Sequence, residues 1–279
     1  MLLNFAKYEG LGNDFIIIKN LDGAIALTVE QIARLCDRNF GIGADGLIFA
    51  RPSASADFFM DYYNSDGSLA EMCGNGIRCY TKYLVDEWLT DKSTLIVETR
   101  AGHKRVEMVF DGGNAIGAKV DMGAPEFEAL KIPVRVKAER VIDEQFTFGD
   151  TIIRATCVSM GNPHCVIFVD DVKEAPVQTL GPVIETSDYF PQKTNVEFAQ
   201  IISKDEIALR VWERGCGETL ACGTGACAAL VAAALNDKTG RFAIIHLLGG
   251  DLSVTWNEDD HILMEGPAKK VFMGTIDIK

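Results

Sequence analysis

Two kinds of apolar segment alternate along the chain. Residues 15–18, 95–98, 105–110 and 166–169 are short runs rich in β-branched and aromatic side chains. Gly, Asp or Asn bounds them, a pattern that predicts strands. After Cys73, by contrast, Ile77, Tyr80, Leu84 and Trp88 recur at helical spacing. A second helix is expected through 226–235, an unbroken apolar run of 10 residues. A helix that is apolar all round has to be covered on every side by its own domain. Ten residues are too few to cross a bilayer.

Both helices open on related motifs, MCGNGIRC at 72–79 and ACGTGACA at 221–228, which place Cys73 and Cys222 149 positions apart. The same offset recurs elsewhere. It sets Gly12 and Asn13 on Gly161 and Asn162, Gly46 on Asn195, and Asn64 on Glu213. Beyond the helices the match continues with a small shift: TLIVETRAG (94–102) resembles FAIIHLLGG (242–250), and VDMG (120–123) resembles LMEG (263–266). Several segments held to one offset indicate a duplicated unit. The expected fold is therefore α+β, with two pseudo-symmetric domains. Each is a strand-rich, barrel-like shell around one central helix, with the active site in the interdomain cleft. The expected domains are residues 1–122 and 123–267, with 268–279 returning to the first on the strength of the family resemblance described below.

Duplication gives the two cysteines their significance. Each precedes a Gly-x-Gly that opens a helix. Glycine allows positive φ and close approach to a ligand. The first amides of a helix bind anions, and its positive end is expected to lower a nearby thiol's pKa. If the halves pack about a pseudo-two-fold axis, one thiol sits on each face of a bound carbon. That arrangement suits stereoinversion, in which a thiolate removes an α-proton on one face and a thiol returns one on the other. Paired helix N-termini would stabilise the carbanion through the substrate carboxylate. Each thiol needs a tuning partner. Of the four histidines, His164 lies beside the repeat position Asn162. His103, His246 and His261 read as ordinary structural residues. Glu213, followed by Arg214, lies in the segment matched to Asn64.

Composition narrows the alternatives. The 279 residues exceed what one core usually serves. The net charge of −13 argues against nucleic-acid or membrane partners. Lys7 and Glu9 interrupt any signal-peptide core, so a cytoplasmic protein is expected. Eight cysteines then read as thiols. None of their spacings suits zinc. Cys36, Cys79, Cys157, Cys165, Cys216 and Cys227 read as small buried hydrophobes.

At KYEGLGNDF (7–15), RNFGIGADGLI (38–48), MCGNGIRC (72–79), GNPHCV (161–166), NVEF (195–198) and WERGCGETLACGTGACA (212–228), the sequence closely resembles the diaminopimelate epimerase family. The resemblance covers essentially the whole chain. It implies interconversion of LL- and meso-diaminopimelate without pyridoxal phosphate or metal, in the pathway to lysine and peptidoglycan. It also implies a homodimer. Cys73 and Cys222 would be the acid/base pair, with His164 supporting Cys73 and Glu213 supporting Cys222. Substrate contacts carry onto Asn13, Asn64, Gly74, Asn75, Asn162, Asn195, Glu213, Arg214, Gly223 and Thr224. Arg214 can bind a carboxylate in a fork. Some family members have glutamine at the position of Gly46, which leaves its contact to the backbone or to a water.

Proline racemase and hydroxyproline epimerase are rivals of the same fold, but Asn75 and the Glu213–Arg214 pair favour diaminopimelate. The phenazine-pathway isomerase type shares the duplication and lacks the paired thiols. A non-enzymatic redox switch, in which the two thiols form a disulfide, is the rival from another class.

Overall fold

The computed structural model describes residues 1–278. It divides into two compact units. One comprises Met1–Asp121 and the segment from Glu265 onward, and the other is Met122–Met264.

In the first unit β1 (Leu2–Gly10) turns back antiparallel into β2 (Asn13–Lys19), with Tyr8 opposite Phe15 and Gly10 opposite Asn13. The helix α1 (Val29–Cys36) starts at a capping box between Thr28 and Gln31. Next, β3 (Gly46–Arg51) lies parallel to β2, and β4 (Phe58–Asn64) returns antiparallel, with Gly46 opposite Asn64. The central helix α2 (Gly74–Asp86) follows, then β5 (Thr94–Thr99), β6 (Gly102–Asp111) and β7 (Asn114–Gly123). Strand β5 runs parallel to β4 and starts an antiparallel meander.

The second unit opens with a hairpin of β8 (Glu144–Phe148) and β9 (Thr151–Ser159). Strand β10 (Pro163–Phe168) pairs antiparallel with β9. After α3 (Val177–Glu185), β11 (Asn195–Ser203) lies parallel to β10, with His164 opposite Asn195. Strand β12 (Glu206–Glu213) returns antiparallel and the short β13 (Gly217–Thr219) pairs with it. The helix α4 (Gly223–Leu235) precedes β14 (Phe242–Leu247), β15 (Gly250–Trp256) and β16 (Ile262–Pro267), and β14 is parallel to β12. The chain then returns to the first unit, where β17 (Lys269–Asp277) pairs antiparallel with β1.

The two units thus repeat one strand plan. Its pairing Phe15–Gly46 and its counterpart His164–Asn195 fall at the offset seen in the sequence. Strands at the centre of each unit are buried on both faces, which is why FIII (15–18) and CVI (165–167) read as continuous apolar runs. One face of β2 and β3 joins Leu3, Phe5, Ile16, Ile18, Leu47 and Phe49 to α1. The matching face of β10 and β11 joins Cys165, Ile167, Val196 and Phe198 to α3. The opposite faces meet the central helices. Alanine-rich α4 lies against β9, β10, β11, β12, β14 and β15, and residues 225–233 are buried throughout. In α2, Ile77, Tyr80 and Leu84 are fully buried. Trp88, expected on the same apolar face, lies beyond the helix with φ 56° and is 90 % exposed. The helix ends at Asp86, two residues before it. No helix among the described residues is long and apolar enough to cross a membrane.

Because Leu230 is enclosed and Trp88 is not, Leu230→Ala should cost about 2–5 kcal/mol. Trp88→Ala should stay within about 0.5 kcal/mol. Urea denaturation of the two variants distinguishes these outcomes.

Candidate active site

In the first unit Cys73 is the N-cap of α2. Its backbone is extended (φ −138°, ψ 123°), and its Sγ accepts the Gly76 N–H at 3.4 Å. Sulfur here takes the place of the oxygen that usually caps a helix. The thiol donates to Asn13 Oδ1 at 3.5 Å, and Asn75 Nδ2 donates to the same oxygen at 3.4 Å. Asn13 Nδ2 in turn donates to Asp45 Oδ2 at 2.7 Å. Beside Asp45, Asp14 is paired with Lys7 and Arg38, each at 2.8 Å. Burial works to raise the Asp14 carboxyl, but the bonds from Arg38 and Lys7 prevail and hold it below the usual range. Within the helix, buried Arg78 folds back to donate to Asn75 Oδ1 at 2.9 Å and to the Gly74 carbonyl at 3.1 Å. Asp45 and Arg78 thereby fix the carboxamides of Asn13 and Asn75. At the end of β4, Asn64 donates to Ser68 Oγ at 3.0 Å. A Cβ on Gly46 would stand 2.6 Å from both the Tyr62 ring and the Tyr63 carbonyl. The tyrosine therefore fills the space a glutamine needs, and Gly46 presents backbone only.

The second unit repeats the cap. Cys222 is extended (φ −118°, ψ 110°) and its Sγ accepts the Gly225 N–H at 3.4 Å. Thr224 Oγ1 lies 3.5 Å from Sγ and accepts from Asn162 Nδ2 at 3.4 Å. That bond occupies the repeat position of Asn75–Asn13. His164 is wholly buried, with Nε2 at 2.9 Å from Asn162 Oδ1 and Nδ1 at 2.7 Å from Glu197 Oε1. Glu213, at the end of β12, receives the Thr219 hydroxyl and the Cys222 thiol. Asn195 is turned to an internal task. Its Nδ2 donates to the Pro163 carbonyl at 2.8 Å, and its Oδ1 receives the Arg214 N–H at 3.0 Å. The Arg214 guanidinium reaches the Gln192 carbonyl at 3.2 Å.

Three expectations need correction. First, the helix amide at Cys222 does not prevail. Burial, followed by the fields of Glu213 and Glu197, pushes the thiol well above its ordinary value, against the bonds from Thr224 and the Gly225 N–H. Burial also raises Glu213 above the usual carboxylate range, although Thr219 and Cys222 oppose it. Second, the glycines after each cysteine keep negative φ, so they are not needed for positive φ. Space is the reason. A Cβ on Gly225 would sit 2.9 Å from Glu197 Oε1 and 3.3 Å from Cys222 Sγ. Third, Cys216 is exposed, whereas Cys36, Cys79, Cys157, Cys165 and Cys227 are buried as expected. A turn with positive φ at Gly215 and Gly217 carries Cys216 outward.

Three further participants escaped the sequence reading: Asp45, Arg78 and Glu197. Each is an ionisable residue in or beside an apolar segment, and that interruption is the signal that could have marked them. Among the described residues, no group of three or more His, Cys, Asp or Glu side chains is disposed to hold a metal ion.

The architecture is shared with solved structures of other proteins. A PhzF-family phenazine biosynthesis protein of Bacillus anthracis superposes with a TM-score of 0.71 at 19 % identity, covering 100 % of both chains. A hydroxyproline epimerase from Agrobacterium vitis gives 0.71 at 11 % identity, covering 99 % of this chain and 92 % of that one. These likenesses establish the fold: α+β, in two domains. Sequence comparison is narrower. The family model for diaminopimelate epimerase matches residues 5–128 and 156–271. A diaminopimelate epimerase of Methanococcus maripaludis is 51 % identical over 277 residues, covering 99 % of this chain and 100 % of that protein. One from Moorella thermoacetica is 48 % identical over 274 residues, covering 98 % of each. The chain belongs to the diaminopimelate epimerase family and is an isomerase.

Because the Cys222 thiol is raised, its alkylation by iodoacetamide, followed by peptide mass spectrometry, should stay slow at neutral pH. It should accelerate only well into the alkaline range. Glu213→Gln removes one of the fields that raise the thiol, so the alkylation midpoint should move to lower pH. A midpoint unchanged or moved upward would contradict this electrostatic account.

Proposed function

We propose that this chain interconverts LL- and meso-diaminopimelate without a cofactor, using Cys73 and Cys222 as an acid/base pair. The observation that carries the reading is the matched cap. In each unit a cysteine sulfur accepts the N–H of the third helical residue, at 3.4 Å in both. This sets two thiols at the anion-binding ends of two helices. The names of the full-length relatives supply the substrate.

One thiolate takes the α-proton while the opposing thiol delivers a proton to the other face of the carbon, and the reverse reaction exchanges their roles. The requirement is that both units present their sulfur to the same carbon. The amides of Gly74–Asn75 and Gly223–Thr224 would hold the reacting carboxylate, so charge developing at the α-carbon meets donors already in place. Asn13, Asn64, Asn162, Glu213 and Arg214 would bind the remaining amino and carboxylate groups, with Asn195 acting by holding the Arg214 backbone in place. His164 would serve Cys73. Glu213, whose raised carboxyl is a stronger base than an exposed one, would take and return the Cys222 proton. The same reading places the enzyme in the cytoplasm, in lysine and peptidoglycan precursor synthesis, as a homodimer that sedimentation can test.

Cys73→Ala and Cys222→Ala should each abolish interconversion, and with it solvent-deuterium incorporation at the α-carbon, while diaminopimelate still binds. Substantial turnover by either single variant would refute the two-base assignment. Proline should not be turned over. Neither a chelator nor a carbonyl-trapping reagent should reduce activity.

A further inference from the structure

Glu197 is fully buried, yet only one of its carboxylate oxygens is satisfied. Oε1 meets His164 Nδ1 at 2.7 Å, and Oε2 is without a hydrogen-bond partner. A buried carboxylate left half-bonded is costly. The strand itself does not require it. Val196 and Phe198 turn to the apolar cluster that includes Ile184 and Phe190, while Glu197 faces the first turn of α4. The first unit shows what the scaffold alone needs. At the positions matched by the repeat it has Phe15 for His164 and Ile48 for Glu197, both fully buried, on the same parallel strand pair. An apolar pair therefore builds this strand pair equally well, and the polar pair in the second unit answers to something other than folding.

What the pair reaches is the thiol. From Glu197 the contacts run to His164, from His164 Nε2 to Asn162, from Asn162 to Thr224, and from Thr224 Oγ1 to Cys222 Sγ. We infer that Glu197 is a positioning residue of the epimerase: it holds the His164 ring by Nδ1, and so fixes Nε2, the Asn162 carboxamide and the Thr224 hydroxyl around the Cys222 thiol. The inference rests on the two-thiol reading for its kinetic consequence, although the contact chain stands independently of it. Neighbouring charge agrees with this placement. The carboxyl that receives the Cys222 thiol is Glu213, whereas Glu197 reaches the thiol's hydrogen-bond partners through His164 and adds only its field at the sulfur.

The test is a double-mutant cycle between Glu197→Gln, which keeps the shape and removes the charge, and His164→Asn. Glu197→Gln should lower kcat by about tenfold or more with KM little changed, short of the ~10²–10⁴-fold that a general acid or base itself supplies. The His164 Nδ1–H resonance should move upfield as its carboxylate partner is lost. Because Glu197 acts chiefly through the ring and only in part through its own field on the thiol, adding Glu197→Gln to His164→Asn should cost clearly less than Glu197→Gln costs alone, whereas independent sites would add in full. Additive losses, or a folded Glu197→Gln enzyme with wild-type kcat, would overturn the inference. If Glu197→Gln does not fold, the pair His164→Phe with Glu197→Ile, copied from Phe15 and Ile48, should fold and be slow. Undiminished deuterium exchange by that pair would overturn the inference equally. Failure of the two-thiol reading has its own signature, exchange that survives Cys73→Ala or Cys222→Ala, so the two failures cannot be confused.

Discussion

A cysteine sulfur stands where a helix cap normally places oxygen, and most of the site follows from that substitution. An N-cap must be extended and must face the orphan amides of the first turn. Both Cys73 and Cys222 satisfy this, and each receives the N–H three residues on. Sulfur is larger than oxygen and a weaker acceptor, so the third helical residue has to leave it room. Glycine does so at 76 and 225, where a Cβ would lie 3.3 Å from the Cβ of the capping cysteine. The second glycine of each CGxG is therefore set by the cap and by what lies beneath it.

On this common frame the units diverge in charge. The first holds its capping helix with Arg78, and it surrounds Asn13 with a network of Asp45, Asp14, Lys7 and Arg38. The second brings carboxylates instead, Glu213 at the sulfur and Glu197 behind His164. Duplication reproduced the geometry, and point changes at matched positions made the environments unequal. In the second unit burial and the two carboxylates favour the neutral thiol at Cys222.

Much of the site was readable without coordinates because it is local. The cap, the Gly-x-Gly and the helix are contiguous in sequence, and the repeat ties Asn13 to Asn162 by offset alone. The strands were readable because a run such as FIII is buried on both faces. Less readable was anything that depends on strands distant in sequence. Glu197 meets His164 only because β10 and β11 pair in parallel. Asn195 is a neighbour of Arg214 only through the β11–β12 return. Trp88 fits the helical period but lies outside the helix, since periodicity does not mark where a helix ends.

By itself, then, the sequence determined the duplicated plan, the two helix-capping thiols and the family, because each is carried by residue type at fixed spacing along the chain. Tertiary structure decided the protonation bias of Cys222, the blocked space at Gly46, the outward turn of Cys216 and the partner of His164. These depend on desolvation, on van der Waals room and on fields from side chains far away in sequence. None of those quantities exists until the strands have closed around their helices.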